Sequence, residues 1–145
     1  MSTFFVHAEP KPQPRARACS RGGFVRMYTP DTADEWKQAV IAAAKKHMAP
    51  GGYSGALVVR VVFSLARPKS HYSTGRRAGK VKPSAPTEPT GKPDVDNLLK
   101  STLDALTTAG AWKDDAQVVH VEGRKTYTDA PSRALIFIGK LEGNQ

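Results

Sequence analysis

The chain has 145 residues, a single cysteine, and 22 lysines and arginines against 13 acidic residues, a formal net charge of +9. That length suits one domain with a single core. Cys19 alone excludes an internal disulfide and fits a reducing compartment, and no apolar run is long enough to cross a membrane or serve as a secretory signal. The expectation is a cytoplasmic protein with no membrane partner, whose basic excess calls for a polyanion, most simply nucleic acid.

Thr3 to Ala8 reads as a first strand, closed by Pro10. Lys11 to Gly23 carries Pro12, Pro14, Arg15, Arg17 and Arg21 and reads as a loop, either a solvated connection or a basic grip on phosphate. Cys19 within it is taken as incidental rather than reactive. Phe24 to Tyr28 alternates as a second strand, expected to form a hairpin with the first. Thr29-Pro30-Asp31 signals a helix start, with a threonine cap, proline at the first position and an acid in the first turn. Trp36, Val40, Ala44 and His47 then recur at helical spacing until Pro50-Gly51-Gly52 stops the helix. Trp36 is expected in the core and His47 on the surface at the helix C-terminus, where the dipole favours it. Ala56 to Ala66 is the clearest strand and, apolar on both faces, should be central.

Residues 67–92 differ in kind. Arg67, Lys69, Arg76, Arg77, Lys80, Lys82 and Lys92 face one acid, Glu88, among Pro68, Pro83, Pro86 and Pro89. Such a composition predicts a flexible basic loop that folds onto a DNA backbone, with Tyr72 or His71 for stacking, rather than a mere linker.

The run KPDVDNLLKSTLDALTTAGAWKDD, Lys92 to Asp115, gathers Asp94, Asp96, Asp104, Asp114 and Asp115 inside a basic protein. Behind Pro93, Asp94 falls at an N-cap and Asp96 in a first helical turn, where carboxylates suit the positive helix end. Asp96, Lys100 and Asp104 then line one face, while Leu99, Leu103 and Leu106 line another, and Gly110 is the stop. For Asp115 to return toward Asp94 and Asp96, the chain after Gly110 must double back or the helix must end early. Converging carboxylates repel unless a cation relieves them, and oxygen donors with no histidine or cysteine suit Mg²⁺ or Mn²⁺ with a phosphate substrate. Asp104 is expected to pair with Lys100 or to cap local structure. Gln117 to Tyr127 and Ala134 to Leu141 follow as two strands, expected to pair as a hairpin about the turn at Asp129 to Ser132. The fold class is therefore α+β, a two-layer mixed β-sheet with two helices packed on one face, in the order β-β-α-β-α-β-β.

The motifs Asp94-x-Asp96-Asn97-Leu98-x-Lys100, Asp104-Ala105-Leu106, Gly110-x-Trp112 and Asp114-Asp115-x-Gln117-Val118 resemble those of the RusA family of Holliday junction resolvases. A weaker likeness reaches Pro10 to Arg17 and Arg26 to Pro30, whereas the long segment before Asp94 departs from the family's core pattern. The resemblance implies that Asp94, Asp96 and Asp115 are catalytic and hold the metal, and that Lys100 is essential. It further implies a bacterial or phage-encoded homodimer that makes paired, symmetric nicks in a four-way DNA junction. Residues 1–145 are read as one RusA-like nuclease domain, with Arg15, Arg17, Lys69, Arg76, Arg77, Lys80, Lys82 and Lys92 on the DNA. Two other readings stand beside this one: a nuclease of flaps or other branched DNA, and a non-catalytic basic nucleic-acid-binding protein.

Overall fold

The protein is seen in a computed structural model that describes residues 1–28 and 31–141, apart from the side chains of Arg17, Cys19, Arg21 and Tyr28. Strands β1 (Ser2–Val6), β2 (Arg17–Arg21) and β3 (Phe24–Tyr28) precede helix α1 (Asp34–His47). Strand β4 (Leu57–Ala66), helix α2 (Val95–Thr108), and strands β5 (Val118–Thr128) and β6 (Arg133–Lys140) complete the order. The main sheet is mixed and four-stranded, ordered β1-β6-β4-β5, and β2 and β3 form a separate two-stranded sheet. This is the α+β architecture expected, with β2 added inside the stretch read as a loop.

Two expected hairpins are replaced by long-range pairings. β1 pairs with β6, from Ser2 opposite Ile138 to Val6 opposite Ala134, and β3 takes its own neighbour β2. Phe4 and Val6 are buried on the core face, which only the edge of the large sheet could bury. Likewise β5 and β6 do not pair, because β4 lies between them, parallel to β5 and antiparallel to β6. The connection from β5 to β6 crosses the end of β4, where the Ala66 amide donates to Ser132 Oγ at 2.8 Å and the Arg67 amide to the Thr128 carbonyl at 3.2 Å. β4 is central, as its two-faced apolar pattern requires.

Both helices pack on one face of the sheet. Trp36, Val40 and Ala44 of α1 and Leu98, Ala105 and Leu106 of α2 join Leu57, Val59, Val61, Phe63, Ile136 and Ile138 in one buried cluster. Trp36 is fully buried, its ring 6.4 Å from Phe63 and its Nε1 donating to Thr102 Oγ1 at 3.3 Å. The helix start expected at Thr29-Pro30 lies outside the described residues. α1 itself begins later, at Asp34 after a turn closed on the Asp31 carbonyl, so Asp34 and Glu35 are the acids of its first turn. His47 is exposed in its last turn, stacked on Phe4.

The buried stripe of α2 is Leu98, Ser101, Thr102, Ala105 and Leu106, rotated from the leucine face expected. Ser101 and Thr102 tolerate burial because each hydroxyl has a carbonyl to donate to, Lys11 for Ser101 and Leu98 for Thr102. Leu99 and Leu103 instead turn toward β5: a Cβ on Gly123 would lie 2.5 Å from a Leu99 methyl. α2 runs its full length and the chain then doubles back. Gly110 takes φ +82, with its amide on the Thr107 carbonyl and that of Ala111 on the Leu106 carbonyl, a Schellman end.

Gly52 holds that reversal. It has φ +71, and a Cβ there would come within 2.3 Å of the Gly110 carbonyl oxygen, while the Tyr53 amide donates to Ala111 O at 2.8 Å. Gly52→Ala combines a left-handed backbone with a clash against main chain, so urea denaturation should show a loss of about 2 kcal/mol or more.

Candidate functional site

α2 carries carboxylates from its N-cap onward, at Asp94, Asp96 and Asp104. Asp94 occupies the N-cap with extended backbone, yet its side chain makes no capping hydrogen bond. Asp96 follows in the first turn and Lys100 one turn later, all three exposed. Among the described residues, neither Asp94, Asp96 nor Lys100 takes part in an ion pair. Asp104 pairs not with Lys100 but with Lys37 of α1, at 3.1 Å, because its position one turn on brings it to the inter-helix edge.

The Asp114-Asp115 pair divides its labour. Asp114 caps a short helical turn, Asp115–Gln117: its Oδ1 accepts from the Ala116 amide at 2.9 Å. Gln117 completes this turn by accepting from the Lys113 and Asp114 amides through Oε1 and donating through Nε2 to the Tyr53 and Gly55 carbonyls. Asp114 is thus committed to the backbone, whereas Asp115 lines a cavity. Gln117 is a residue whose role the sequence pattern did not expose, since its partners lie on a distant loop.

That cavity, about 400 Å³, is lined by Gln13, Lys100, Leu103, Asp104, Thr107, Trp112, Asp115, Val118 and Val121. Lys100 and Asp115 therefore meet at one site, although fifteen positions separate them in sequence. Asp94 lines a separate, smaller cavity with Pro12, Lys92, Pro93 and Asn97. β5 runs back along α2: Lys125 Nζ donates to the Gly91 and Pro93 carbonyls beside the helix start, Gly123 abuts Leu99, and Val118 reaches Thr107 and Trp112. Asp115 consequently lies alongside the later turns of α2, and Asp94 and Asp96 at its beginning. Among the described residues no three histidine, cysteine or carboxylate side chains form a metal cluster.

A preassembled cluster is not required for the cation the donor chemistry selects. Mg²⁺ takes one or two protein carboxylates and fills its octahedron with waters and substrate phosphate oxygens. Asp94, Asp96 and Asp115 supply only hard oxygen donors, a chemistry that suits such an ion and not zinc.

The proline-rich segment of residues 10–14 crosses α2 beside these groups. Ser101 Oγ donates to the Lys11 carbonyl at 2.6 Å and the Gln13 amide to the Asn97 carbonyl at 3.0 Å. Arg15 is exposed beyond it, and the side chain of Arg17 lies outside the described residues.

The basic segment 67–92 folds on itself. It holds two short turns, Lys69–His71 and Gly75–Arg77, and a bridge between Tyr72 and Val81. Arg67 anchors it, lying 4.6 Å over the Tyr127 ring and donating to the Pro86 carbonyl at 2.8 Å. The two aromatic residues considered for base stacking are used here instead. His71 sits edge-on to Tyr127, and Tyr72 donates to Asp129, with desolvation and that carboxylate holding its phenol above the ordinary value. Lys69, Arg76, Arg77, Lys80, Lys82 and Lys92 are all exposed and, among the described residues, form no ion pair.

A mixed sheet carrying two helices on one face, with exposed carboxylates and a lysine along one of those helices, defines an α+β protein with an acidic candidate site. A family profile described as Endodeoxyribonuclease RusA matches residues 7–139, and the chain belongs to this family. "Uncharacterized protein YqaN" of Bacillus subtilis (strain 168) is 34% identical over 128 residues, 88% of this chain and 89% of that one. "Crossover junction endodeoxyribonuclease" proteins of Enterobacteria phage 82 and Escherichia coli (strain K12) are 69% identical over 26 residues, 18% of this chain and 22% of each of theirs. No helix among the described residues is long and apolar enough to cross a membrane.

The two adjacent aspartates should separate cleanly in metal-free thermal denaturation. Asp114→Ala is expected to cost about 1 kcal/mol through its lost cap. Asp115→Asn and Asp94→Asn, whose carboxylates hold no capping bond, should leave stability unchanged or slightly raised.

Proposed function

We propose that the protein is a metal-dependent endodeoxyribonuclease that resolves four-way DNA junctions by paired, symmetric nicks, acting as a homodimer with one site per subunit. The observation that carries this reading is the cavity in which Lys100 and Asp115 meet, on a chain whose family profile is that of an endodeoxyribonuclease. A junction with two-fold symmetry is matched by a two-fold protein, which supports the dimer.

Asp94 and Asp96, at the start of α2, and Asp115, beside its later turns, are the groups that would hold Mg²⁺ or Mn²⁺. When bound, the ion lowers the pKa of a coordinated water and offsets the charge growing on the phosphate. Lys100, exposed at the mouth of the cavity, meets the scissile phosphate and orients it against that charge. Around this site Arg15, Arg17, Lys69, Arg76, Arg77, Lys80, Lys82 and Lys92 neutralise backbone phosphates of the junction arms, giving position rather than sequence. The exposure of those described, and their lack of ion-pair partners among the described residues, support this assignment. It also requires no ordering cost from breaking existing ion pairs.

The test is cleavage of a synthetic four-way junction with and without Mg²⁺. Cutting should require the ion and stop with EDTA, and Asp94→Asn, Asp96→Asn, Asp115→Asn and Lys100→Ala should each lower the rate by at least about a hundredfold, a loss of roughly 3 kcal/mol. The three Asp→Asn proteins should still shift the junction in a gel, as tightly as wild type or more so, because a negative charge near the phosphate is gone. A protein that shifts the junction and leaves it uncut under every divalent ion would be a binder. Preference for flaps or forks would make it a different branched-DNA nuclease.

Removing the charge of Arg76, Arg77 and Lys80 together should weaken binding and flatten the dependence of log K on log salt by up to about 2.7, near 0.9 per phosphate contact. An unchanged slope would take this segment off the DNA.

A further inference from the structure

Strands β2 and β3 form a hairpin that stands apart from the core. Their sheet is separate from the main one, and none of their described side chains joins the buried cluster or packs against it. Gly22 and Gly23, at φ +59 and +83, close the hairpin as a tight two-residue turn. Phe24 at the tip is 74% exposed, and Val25 and Met27 follow at 70% and 67%. Successive residues of a strand face opposite ways, so Phe24 and Arg26 lie on one side, and Val25 and Met27, the latter opposite Ala18, on the other. A hairpin that rests on a single surface needs one apolar side. This one is apolar on both.

An isolated two-stranded sheet is marginal in water, and large apolar groups clustered in solvent mark a contact with something else. Charge narrows the choice. Arg15 at the root and Arg26 between the apolar positions are exposed and, among the described residues, form no ion pair. On a chain of net charge +9, a second copy would bring like charges together, whereas a polyanion with flat apolar faces suits both kinds of side chain. Position narrows it further. The hairpin springs from residues 10–14, which are tied to α2 through the Lys11 carbonyl and the Gln13 amide, and Pro12 shares a cavity with Asp94. The five residues of β2 span about 17 Å at roughly 3.4 Å each, more than the depth of either DNA groove, about 8 Å.

We propose that the β2–β3 hairpin is a wedge that enters the branch point of a four-way DNA junction, where Phe24, Val25 and Met27 stack on the base pairs facing one another across it and Arg15 and Arg26 take the flanking phosphates. The proposal rests on the junction reading and deepens it by naming what separates a junction from a plain duplex. Apolar side chains driven between base steps must unstack them, a cost that the new contacts have to offset. At a branch point the stack is already interrupted, so the cost is least there, and each apolar side of the hairpin meets a base pair. An intact duplex offers no such opening, and only the phosphate contacts of the arginines remain.

The experiment uses the full chain in EDTA with a four-way junction carrying 2-aminopurine at the branch point, whose fluorescence rises on unstacking, and a duplex of the same sequence. Wild type should raise the fluorescence and bind the junction more tightly than the duplex. The triple variant Phe24→Thr, Val25→Thr and Met27→Thr keeps strand propensity at exposed positions, so it should melt no lower than wild type. It should leave the fluorescence at the level of the free junction and lose about tenfold or more in junction affinity, the scale of a lost base stack, with a change of at most about twofold on the duplex. If the triple variant melts lower, Phe24→Thr alone carries the test, with an expected loss of about threefold or more on the junction only. Undiminished fluorescence, a retained junction preference in the folded variant, or equal wild-type affinity for junction and duplex would each overturn the proposal. So would a shift from dimer to monomer in sedimentation of the variant, which would make the hairpin a contact between copies. Cutting in Mg²⁺ is scored separately: if wild type cuts no junction the nuclease reading falls, and the measurements in EDTA still decide the hairpin.

Discussion

The parallel pairing of β4 with β5 is the constraint on which the site depends. Two adjacent parallel strands need a crossover, and α2 is that crossover. Because the helix carries the chain back to begin a strand beside β4, β5 must run against α2 along its length, from Val118 near Thr107 and Trp112 to Lys125 beside the Gly91 and Pro93 carbonyls. Each candidate side chain takes its place from this. Asp94 and Asp96 stand where the crossover helix begins, Lys100 at its second turn, and Asp115 where the chain has reversed.

The reversal is built from groups with no chemistry of their own. Gly110 supplies the left-handed turn, Gly52 the close backbone approach, and Gln117 binds both the loop at Tyr53 and Gly55 and the amides of Lys113 and Asp114. Asp114 is consumed in the same task. Its neighbour Asp115 inherits a rigid backbone and an uncommitted carboxylate, the combination a binding or catalytic group needs. Lys37 similarly engages Asp104, so among the described residues Lys100 is left without an ion-pair partner.

Exposure makes this arrangement affordable. Carboxylates and ammonium groups left unpaired at the surface remain solvated and cost little, whereas the same groups in the interior would each need a partner. The basic loop follows the same economy: Arg67, Tyr72 and His71 hold it down on Tyr127 and Asp129, leaving its other cations free of internal partners among the described residues.

Local chemistry determined a good deal from the letters alone. Apolar period located both helices and the central strand. Local signals also buried Trp36, put Asp94 at an N-cap and stopped α2 at Gly110, because these outcomes depend on neighbours within a few residues. The motifs around Asp94, Lys100 and Asp115 named the family for the same reason. Strand partners were a different matter: an alternating strand such as β1 or β5 is satisfied by any edge with a matching face, and only the packing of the whole sheet chose β6 for the first and β4 for the second. The separate roles of Asp114 and Asp115, the Lys37–Asp104 pair and the placement of Gln13 against α2 likewise required the tertiary structure. Each is a contact between segments that the chain order leaves far apart, and nothing in the spacing of either segment encodes the other.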